Sequence, residues 1–371
     1  MLSGYLVLDC TDALGWMSGR ILAELGADVL KIEAPGSDTG GADWQAANIN
    51  KRTLTLNLDT DAGRAEFVKL LAKADFLLET ATPGSAAAAI DEDCRKSANA
   101  GLIHVAITPF GRTGPCAGWL AGDLEIMAGG GAMTLAGEPD GMPVRISVPQ
   151  SRGWAGAMAA VGALMALNHR AETGEGQLVD VSAQASVVAA LAHAPAFWDI
   201  ERTLPKRAGA FMTGRSIHGA SYRVFWPCKD GYLNFILYGG VAGRRTNEGL
   251  VSWMREAGAD LGVLADIDWA TFDPTQATQE EVDTFEAPIS KFFLTVTKRE
   301  FLNGAFAREM LGYPVSTVED ISTDPQLEAR GFWQDLPGPD GKVQRHCGGF
   351  AIVDGERLKV RRPSQIEKGG A

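Results

Sequence analysis

Paired cysteine is the first thing the sequence lacks. Its five cysteines, Cys10, Cys94, Cys116, Cys228 and Cys347, are odd in number, scattered, and without a Cys-x-x-Cys step. That pattern excludes a disulfide framework and a cysteine zinc site, and it fits the reduced thiols of a cytoplasmic protein. The five histidines, His104, His169, His193, His218 and His346, include no pair four residues apart on a helix, which removes the simplest metal-site pattern. Excess positive charge is also missing: the formal net charge is −12, which argues against general nucleic-acid binding but leaves room for a local basic pocket. The longest apolar run, within residues 154–167, is rich in Ala and Gly and shorter than the roughly 20 residues a membrane span requires. The first residues carry no basic lead, and Asp9 and Asp12 break their apolar stretch, unlike a signal peptide. Internal repeats and low-complexity tracts are absent.

What is present is ordinary globular material. In 371 residues, 46% are hydrophobic and 22% charged, enough for a sizeable core and for two domains. Residues 5–9 and 28–33 read as strands separated by a helix over 17–25 that stops at Gly26. A strand over 53–58, a helix over 61–72 and a strand over 75–79 follow, then a strand over 102–108. A long small-residue helix over 154–170 leads to a strand over 178–182. Strands alternating with helices imply a doubly wound α/β domain around a parallel sheet. Residues 203–219 lack periodicity and suit a linker or crossing segment. Strand patterns over 222–226 and 232–237 flank Pro227-Cys228-Lys229-Asp230-Gly231, whose Asp-Gly step favours a hairpin turn. Helical patterns over 247–257, 280–294 and 298–311 complete a smaller α+β unit. Pro288 is expected to interrupt the second of these, and Pro314 closes the last. The resulting division is 1–200, a linker over 201–219, a small domain over 220–310, and a C-terminal segment over 311–371 that returns to the large domain.

Several motifs invite a chemical reading and each has a plainer one. Gly129-Gly130-Gly131 follows a helical pattern instead of opening one, so it reads as a turn or helix C-cap, not a phosphate cradle. Gly239-Gly240-Val241-Ala242-Gly243-Arg244-Arg245-Thr246 lacks the lysine of a nucleotide loop, and its arginines suit a surface or an anionic rim. Cys116, after Gly114-Pro115, has no neighbouring His or Lys to activate it. Asp180 falls in a strand that reads as buried, which assigns it an internal hydrogen-bonding role. Asp123, within Ala121-Gly122-Asp123-Leu124-Glu125, opens a helical pattern and suits a cap. It also follows the strand over 102–108, and ligands of open α/β sheets bind beyond the carboxyl ends of strands, so it is the alternative catalytic candidate. Trp154, Phe211 and Trp226 are candidates to line an aromatic pocket or simply to form core.

The ordered elements Val7-Leu8-Asp9, Leu25 through Glu33, Asn50-Lys51-Arg52, Leu54 through Leu58, Ala74 through Glu79 with Pro83-Gly84, Phe110 through Pro115, and Arg170 through Asp180 resemble the class III CoA-transferase family. That family includes formyl-CoA transferase, carnitine CoA-transferase and α-methylacyl-CoA racemase. The resemblance implies a Rossmann-like large domain plus a smaller domain in an interlocked dimer. CoA esters and organic acids would be its substrates, with no covalently bound cofactor. It implies CoA contacts at Leu14, Gly15, Leu56, Asn57, Leu58, Asp59, Thr80, Ala81, Thr82, Gly122 and Asp123. In family transferases an aspartate carboxylate attacks the thioester, which divides one exchange into covalent steps.

Departures from the family pattern are equally specific. Counting back from Thr173-Gly174, the resemblance places the family aspartate at Arg152 or within a residue or two of it, inside Pro149-Gln150-Ser151-Arg152-Gly153-Trp154-Ala155-Gly156, where no carboxylate stands. Aromatic and basic CoA contacts of the family fall on Ala81 and Ala88, and the histidine of its racemases falls on Gly122. Thr108-Pro109-Phe110-Gly111, Gly122-Asp123-Leu124 and Val148-Pro149-Gln150 resemble an aspartate-free branch, the E-subunit type of succinyl-CoA:benzylsuccinate CoA-transferases. A subunit of that kind would pair with a related subunit that supplies the aspartate, and Arg152 would either hold a carboxylate or a CoA phosphate or form a structural ion pair. The alternatives are a self-sufficient transferase, working as a homodimer with another carboxylate, and a non-catalytic acyl-CoA-binding protein.

Overall fold

The computed structural model describes residues 1–80, 97–338 and 341–361, and the backbone of 365–367. The chain divides into two compact units: Met1–Thr134 with Val144–Pro205 and Pro325–Ala371, and Leu135–Pro143 with Lys206–Asp324.

In the first unit the elements are β1 (Leu6–Cys10), α1 (Trp16–Glu24), β2 (Asp28–Glu33), α2 (Ala42–Ala47), β3 (Arg52–Thr55), α3 (Asp61–Leu71), β4 (Phe76–Glu79), β5 (Ile103–Thr108), α4 (Asp123–Gly129), α5 (Ser151–Thr173), β6 (Leu178–Ser182) and α6 (Ala183–Ala190). All the strand pairs of its seven-stranded sheet are parallel, in the order Gln365–Glu367, β3, β2, β1, β4, β5, β6. The doubly wound α/β expectation holds. Such strands are covered on both faces, which is why they read as near-continuous apolar runs. Successive side chains go to opposite faces: Val7, Val29, Phe76 and Leu78 pack with Leu22 of α1 and the alanines of α5. Leu8, Leu30, Ile32 and Leu77 pack with Phe67 and Leu71 of α3 on the other side.

The stripe Ala155, Ala159, Ala163 and Ala166 buries one face of α5, and the small side chains let the helix lie close to its neighbours. A Cβ on Gly156 would sit 2.6 Å from Met17 Cβ. Gly174 ends α5 in the left-handed conformation (φ 78°), where glycine carries no Cβ penalty.

The second unit holds the antiparallel hairpin Phe225–Cys228 with Gly231–Asn234, joined by Lys229 and Asp230. Gly231 there takes φ 153°. Behind it Trp226, Phe235, Phe293 and Phe301 form an edge-to-face aromatic core, with Trp226 and Phe293 5.5 Å apart. Helices α7 (Gly240–Glu256), α8 (Gln279–Phe293) and α9 (Lys298–Ala307) surround it. Thr278 with Glu281 and Thr297 with Glu300 form reciprocal capping boxes that start α8 and α9.

Several expectations need correction. The strand expected over 53–58 ends at Thr55, leaving 56–59 as a loop. Helix α5 starts at Ser151, three residues early, because Asp123 supplies its cap from a distance. Helix α7 starts at Gly240, so the Gly239–Thr246 motif lies mostly within a helix. Pro288 does not interrupt α8: the carbonyl it leaves without a donor belongs to exposed Thr284, and buried Val282, Ile289 and Phe293 hold the helix on the core. Residues 222–223 pair with Phe211–Met212 and stand apart from the hairpin. Asp180 is exposed, not buried, because β6 is an edge strand. Among the described residues no helix is long and apolar enough to cross a membrane.

Candidate active site

The sheet order reverses between β1 and β4, and this switch point opens a crevice beyond the carboxyl ends of the two strands. A cleft of about 370 Å³ lies there, lined by Asp12, Leu14, Thr80, Ile107, Pro109, Leu120, Ala121, Gly122 and Glu125. One wall is the turn over 11–16. Asp12 donates its backbone N–H to Thr80 Oγ1 at 2.7 Å, and Leu14 donates to Asp12 Oδ1 at 2.9 Å. Gly15 is required by close approach: a Cβ there would lie 2.6 Å from Thr11 Cγ2 and 3.0 Å from Thr80 Cγ2. Across the cleft, Glu125 Oε2 accepts the Gly122 N–H at 2.8 Å, which holds the start of α4. Trp119 extends this side, its indole set edge-on against Phe110 at 6.2 Å. A second cleft of about 310 Å³ lies beside the ends of β1 and β2, lined by Cys10, Ile32, Ala34, Pro35 and residues 56–59.

Leu14, Thr80 and Gly122 therefore fall on the first cleft, and Leu56, Asn57, Leu58 and Asp59 on the second. Gly15 and Asp123 lie beside the first. Ala81, Thr82, Pro83-Gly84, Ala88 and Cys94 lie outside the described residues. Among the described residues, no lysine, arginine or histidine lines either cleft.

Asp123 does not cap its own helix, whose N-cap is Gly122. Its Oδ1 instead accepts from the Gln150 N–H and the Ser151 N–H, both at 2.9 Å, and from Ser151 Oγ at 2.8 Å. The carboxylate thus caps α5, whose first-turn donors have no intrahelical partner. Arg152 follows in that first turn. Its guanidinium is 3.9 Å from Asp43 Oδ2 of α2, and both side chains are substantially exposed.

Against the ends of the 11–16 turn lies a charged cluster. Asp9, Lys31 and Lys51 are all buried. Lys51 Nζ reaches Asp9 Oδ2 at 2.7 Å, the Trp16 carbonyl at 2.8 Å and Asn48 Oδ1 at 2.8 Å. Burial alone would raise the Asp9 carboxyl, but Lys51 and Lys31 outweigh it and hold the group below the usual carboxylate range. Burial pushes Lys51 down to about 8 against the pull of Asp9. Both lysines stand in motifs quoted above, yet nothing in the linear sequence marked them as partners of Asp9.

Other candidates resolve more simply. His104 Nε2 lies 2.7 Å from Glu79 Oε1 in the buried sheet. Asp180 accepts the Arg112 N–H. Gly130 caps α4 and Gly131 takes φ 83°. Arg244 pairs with Glu248 at 2.8 Å, and Arg245 pairs with Glu309. Trp226 is core, and Phe211 stacks under Arg223 at 4.7 Å. No described group of three or more His, Cys, Asp or Glu forms a metal-binding cluster. Glu125, Pro109 and Leu120 were missed because they share no spacing, only proximity across the sheet.

Comparison with known proteins agrees in length and fold. The model of CoA-transferase family III matches residues 2–364. Succinyl-CoA:(R)-benzylsuccinate CoA-transferase subunit BbsE of Thauera aromatica is 31% identical over 353 residues, 90% of this chain and 83% of that protein. Succinate--glutarate CoA-transferase of Agrobacterium fabrum is 30% identical over 384 residues, covering 98% and 92%. A CAIB/BAIF family protein from Brucella suis superposes with a TM-score of 0.82 at 26% identity, covering 98% of this chain and 96% of that one.

Proposed function

The chain belongs to CoA-transferase family III, and from that membership we propose that it is one subunit of a heteromeric CoA-transferase. It moves CoA from an acyl-CoA donor such as succinyl-CoA to an organic acid such as benzylsuccinate, and a related subunit supplies the catalytic aspartate. The names of the two relatives support this: one is a subunit of a benzylsuccinate enzyme, and both act on dicarboxylic acids.

The observation that carries the reading is the engagement of Asp123. Its Oδ1 holds three donors at the start of α5. Three donors on one oxygen draw electron density from this carboxylate and fix it at the helix start, so it is a poor nucleophile for a covalent step. The segment from Pro149 to Gly156 offers no other carboxylate. On the partner, the aspartate oxygen attacks the thioester carbon and CoA leaves as thiolate. The thiolate then opens the mixed anhydride at the aspartyl carbonyl and releases the donor acid. The acceptor carboxylate next attacks the aspartyl-CoA thioester, and the returning thiolate frees the new acyl-CoA.

This chain's share is binding. CoA runs along Leu14, Gly15, Thr80 and Gly122 and along residues 56–59, and Arg152 holds an anion, either the acid's carboxylate or a CoA phosphate, through its planar fork. The enzyme works in the cytoplasm as an interlocked dimer of the two subunits, with large-domain and small-domain boundaries near 200 and 220.

Co-expression tests the proposal. Purified alone, the chain is expected to bind succinyl-CoA without transferring CoA to an acid; with an aspartate-bearing family subunit it is expected to co-purify and to turn over. Full turnover by the chain alone overturns the heteromer.

A further inference from the structure

The turn over 11–16 is held at both ends by buried lysines. At its start, Lys31 Nζ donates to the Thr11 carbonyl at 2.7 Å. At its end, Lys51 Nζ donates to the Trp16 carbonyl at 2.8 Å. Asp9 joins the two: its Oδ2 takes Lys51 at 2.7 Å, and its Oδ1 accepts Thr11 Oγ1 at 2.6 Å and the Thr11 N–H at 3.0 Å. Burying such charges is costly, and an apolar cluster of the same volume is often at least as stable, so the cluster is weak evidence of a stabilising role. What it does supply is geometry, because the Thr11 and Trp16 carbonyls it fixes flank Asp12 and Leu14, which line the switch-point cleft.

We propose that Lys51 and Lys31 are positioning residues that clamp the two ends of the 11–16 turn, and that ligand binding in the adjoining cleft depends on the protonated Lys51 ammonium. This rests on the reading of that cleft as a CoA-ester site.

Protonated Lys51 has three donors and three acceptors: Asp9 Oδ2, Asn48 Oδ1 and the Trp16 carbonyl. Deprotonation leaves two donors, so one contact is lost. The charged groups facing it are Asp9 on β1, Lys31 on β2 and Arg20 on α1, with Glu33 of β2 3.4 Å from Lys31. Asp9 stays ionised throughout the alkaline range, since its carboxyl is held below its ordinary value. With Lys51 at about 8 against its ordinary 10.5, the folded chain releases this proton before the unfolded chain does. That group alone therefore makes stability rise with pH in this window, and weakened binding there is not unfolding.

The test uses calorimetry with acetyl-CoA, which has no titrating thiol, and amide exchange of the 11–16 peptide normalised to intrinsic rates, both from pH 6.5 to 9.5. In the wild-type chain, affinity is expected to fall by roughly tenfold through pH 8, the scale of one hydrogen bond to a charged group. Exchange over 11–16 is expected to quicken over the same range while β1 stays protected. Lys51→Met is expected to bind weakly, and to exchange fast over 11–16, at every pH. Affinity and exchange that are flat with pH in the wild-type chain overturn the clamp, and this needs no variant to fold. If acetyl-CoA does not bind at any pH while exchange over 11–16 still responds to pH and to Lys51→Met, the clamp stands and the CoA reading of the cleft falls.

Discussion

Asp123 and Ser151, 28 residues apart, meet where two helices begin: one carboxylate oxygen of Asp123 accepts both the N–H and the hydroxyl of Ser151. The start of α4 and the start of α5 are thereby fixed to each other, and with them the direction in which Arg152 leaves the helix. An N-cap usually comes from the residue before the helix. Here Gln150 makes no side-chain cap, and the oxygen arrives from elsewhere in the fold.

The first prediction tests that cap. Asp123→Ala is expected to lower stability by about 1–2 kcal/mol, the upper range for loss of a capping side chain. Asp123→Asn keeps an acceptor and loses only the charge, so it is expected to cost less than half as much. Urea midpoints of the two variants decide it. Equal losses would mean that charge, not the hydrogen bonds, holds the junction.

A second prediction contrasts two glycines of α5. A Cβ at Gly153 meets nothing within 4 Å, whereas one at Gly156 lies 2.6 Å from Met17 Cβ and 3.0 Å from the Ser18 nitrogen. Gly153→Ala is expected to stabilise by about 0.5–1 kcal/mol through helix propensity. Gly156→Ala is expected to destabilise by about 1–3 kcal/mol, because α1 must move away from α5. Opposite signs in thermal melts are the signature, and a shared sign would mean that the two helices do not pack as closely as described.

The sheet was legible because its inner strands are buried on both faces and helices alternate with strands along the chain, so that β1, β2, β4 and β5, and the exposed edge strand β6 after its long helix, stand within two residues of their expected bounds. The site was legible only in part. Residues 14–15, 56–59, 80 and 122 came from the family resemblance, and the structure places them in loops outside the regular elements. The ties around the cleft, Lys51 to Asp9, Asp123 to Ser151 and Asp12 to Thr80, join residues 28 to 68 positions apart. Such partners share no periodicity, and only the folded sheet order brings them together. The errors have local causes: Pro288 was read as a breaker because the sequence does not show that the carbonyl it frees faces water.

A third prediction concerns pH. Glu286 of α8 is buried and accepts the Arg223 N–H at 2.7 Å, yet burial raises its carboxyl to about 7 from the ordinary 4.5. Arg223 opposes that rise and Asp283 adds to it. The folded chain therefore keeps the proton longer than the unfolded chain. Its contribution is fully present below pH 4.5, declines as pH rises, and is lost above 7. A gap of that size is worth up to about 3 kcal/mol. Glu286→Gln keeps an acceptor for Arg223 and removes the titration, so it is expected to match the wild-type chain near pH 4 and exceed it at pH 8. Urea unfolding at the two pH values tests this, and a difference that does not change with pH would remove Glu286 as its source.

The last prediction separates stability from function at Arg152. A cation in the first turn of α5 faces the positive end of the helix, which costs about 0.3–1 kcal/mol at an exposed site. Its neighbour Asp43 is 3.9 Å away and 83% exposed, too distant and too wet to return much of that. Arg152→Ala is therefore expected to leave the fold as stable as the wild type or slightly more so. If the guanidinium holds a carboxylate or phosphate of the substrate, the same variant is expected to weaken that binding by roughly ten- to a hundredfold, the worth of a charge-assisted pair. Arg152→Lys should recover only part of the loss, since an ammonium cannot make the two parallel bonds of the fork. Asp43→Asn is the control: it removes the surface pair and leaves the guanidinium in place, so affinity should hold. A destabilised Arg152→Ala with unchanged affinity would instead identify Arg152 as half of a structural ion pair with Asp43.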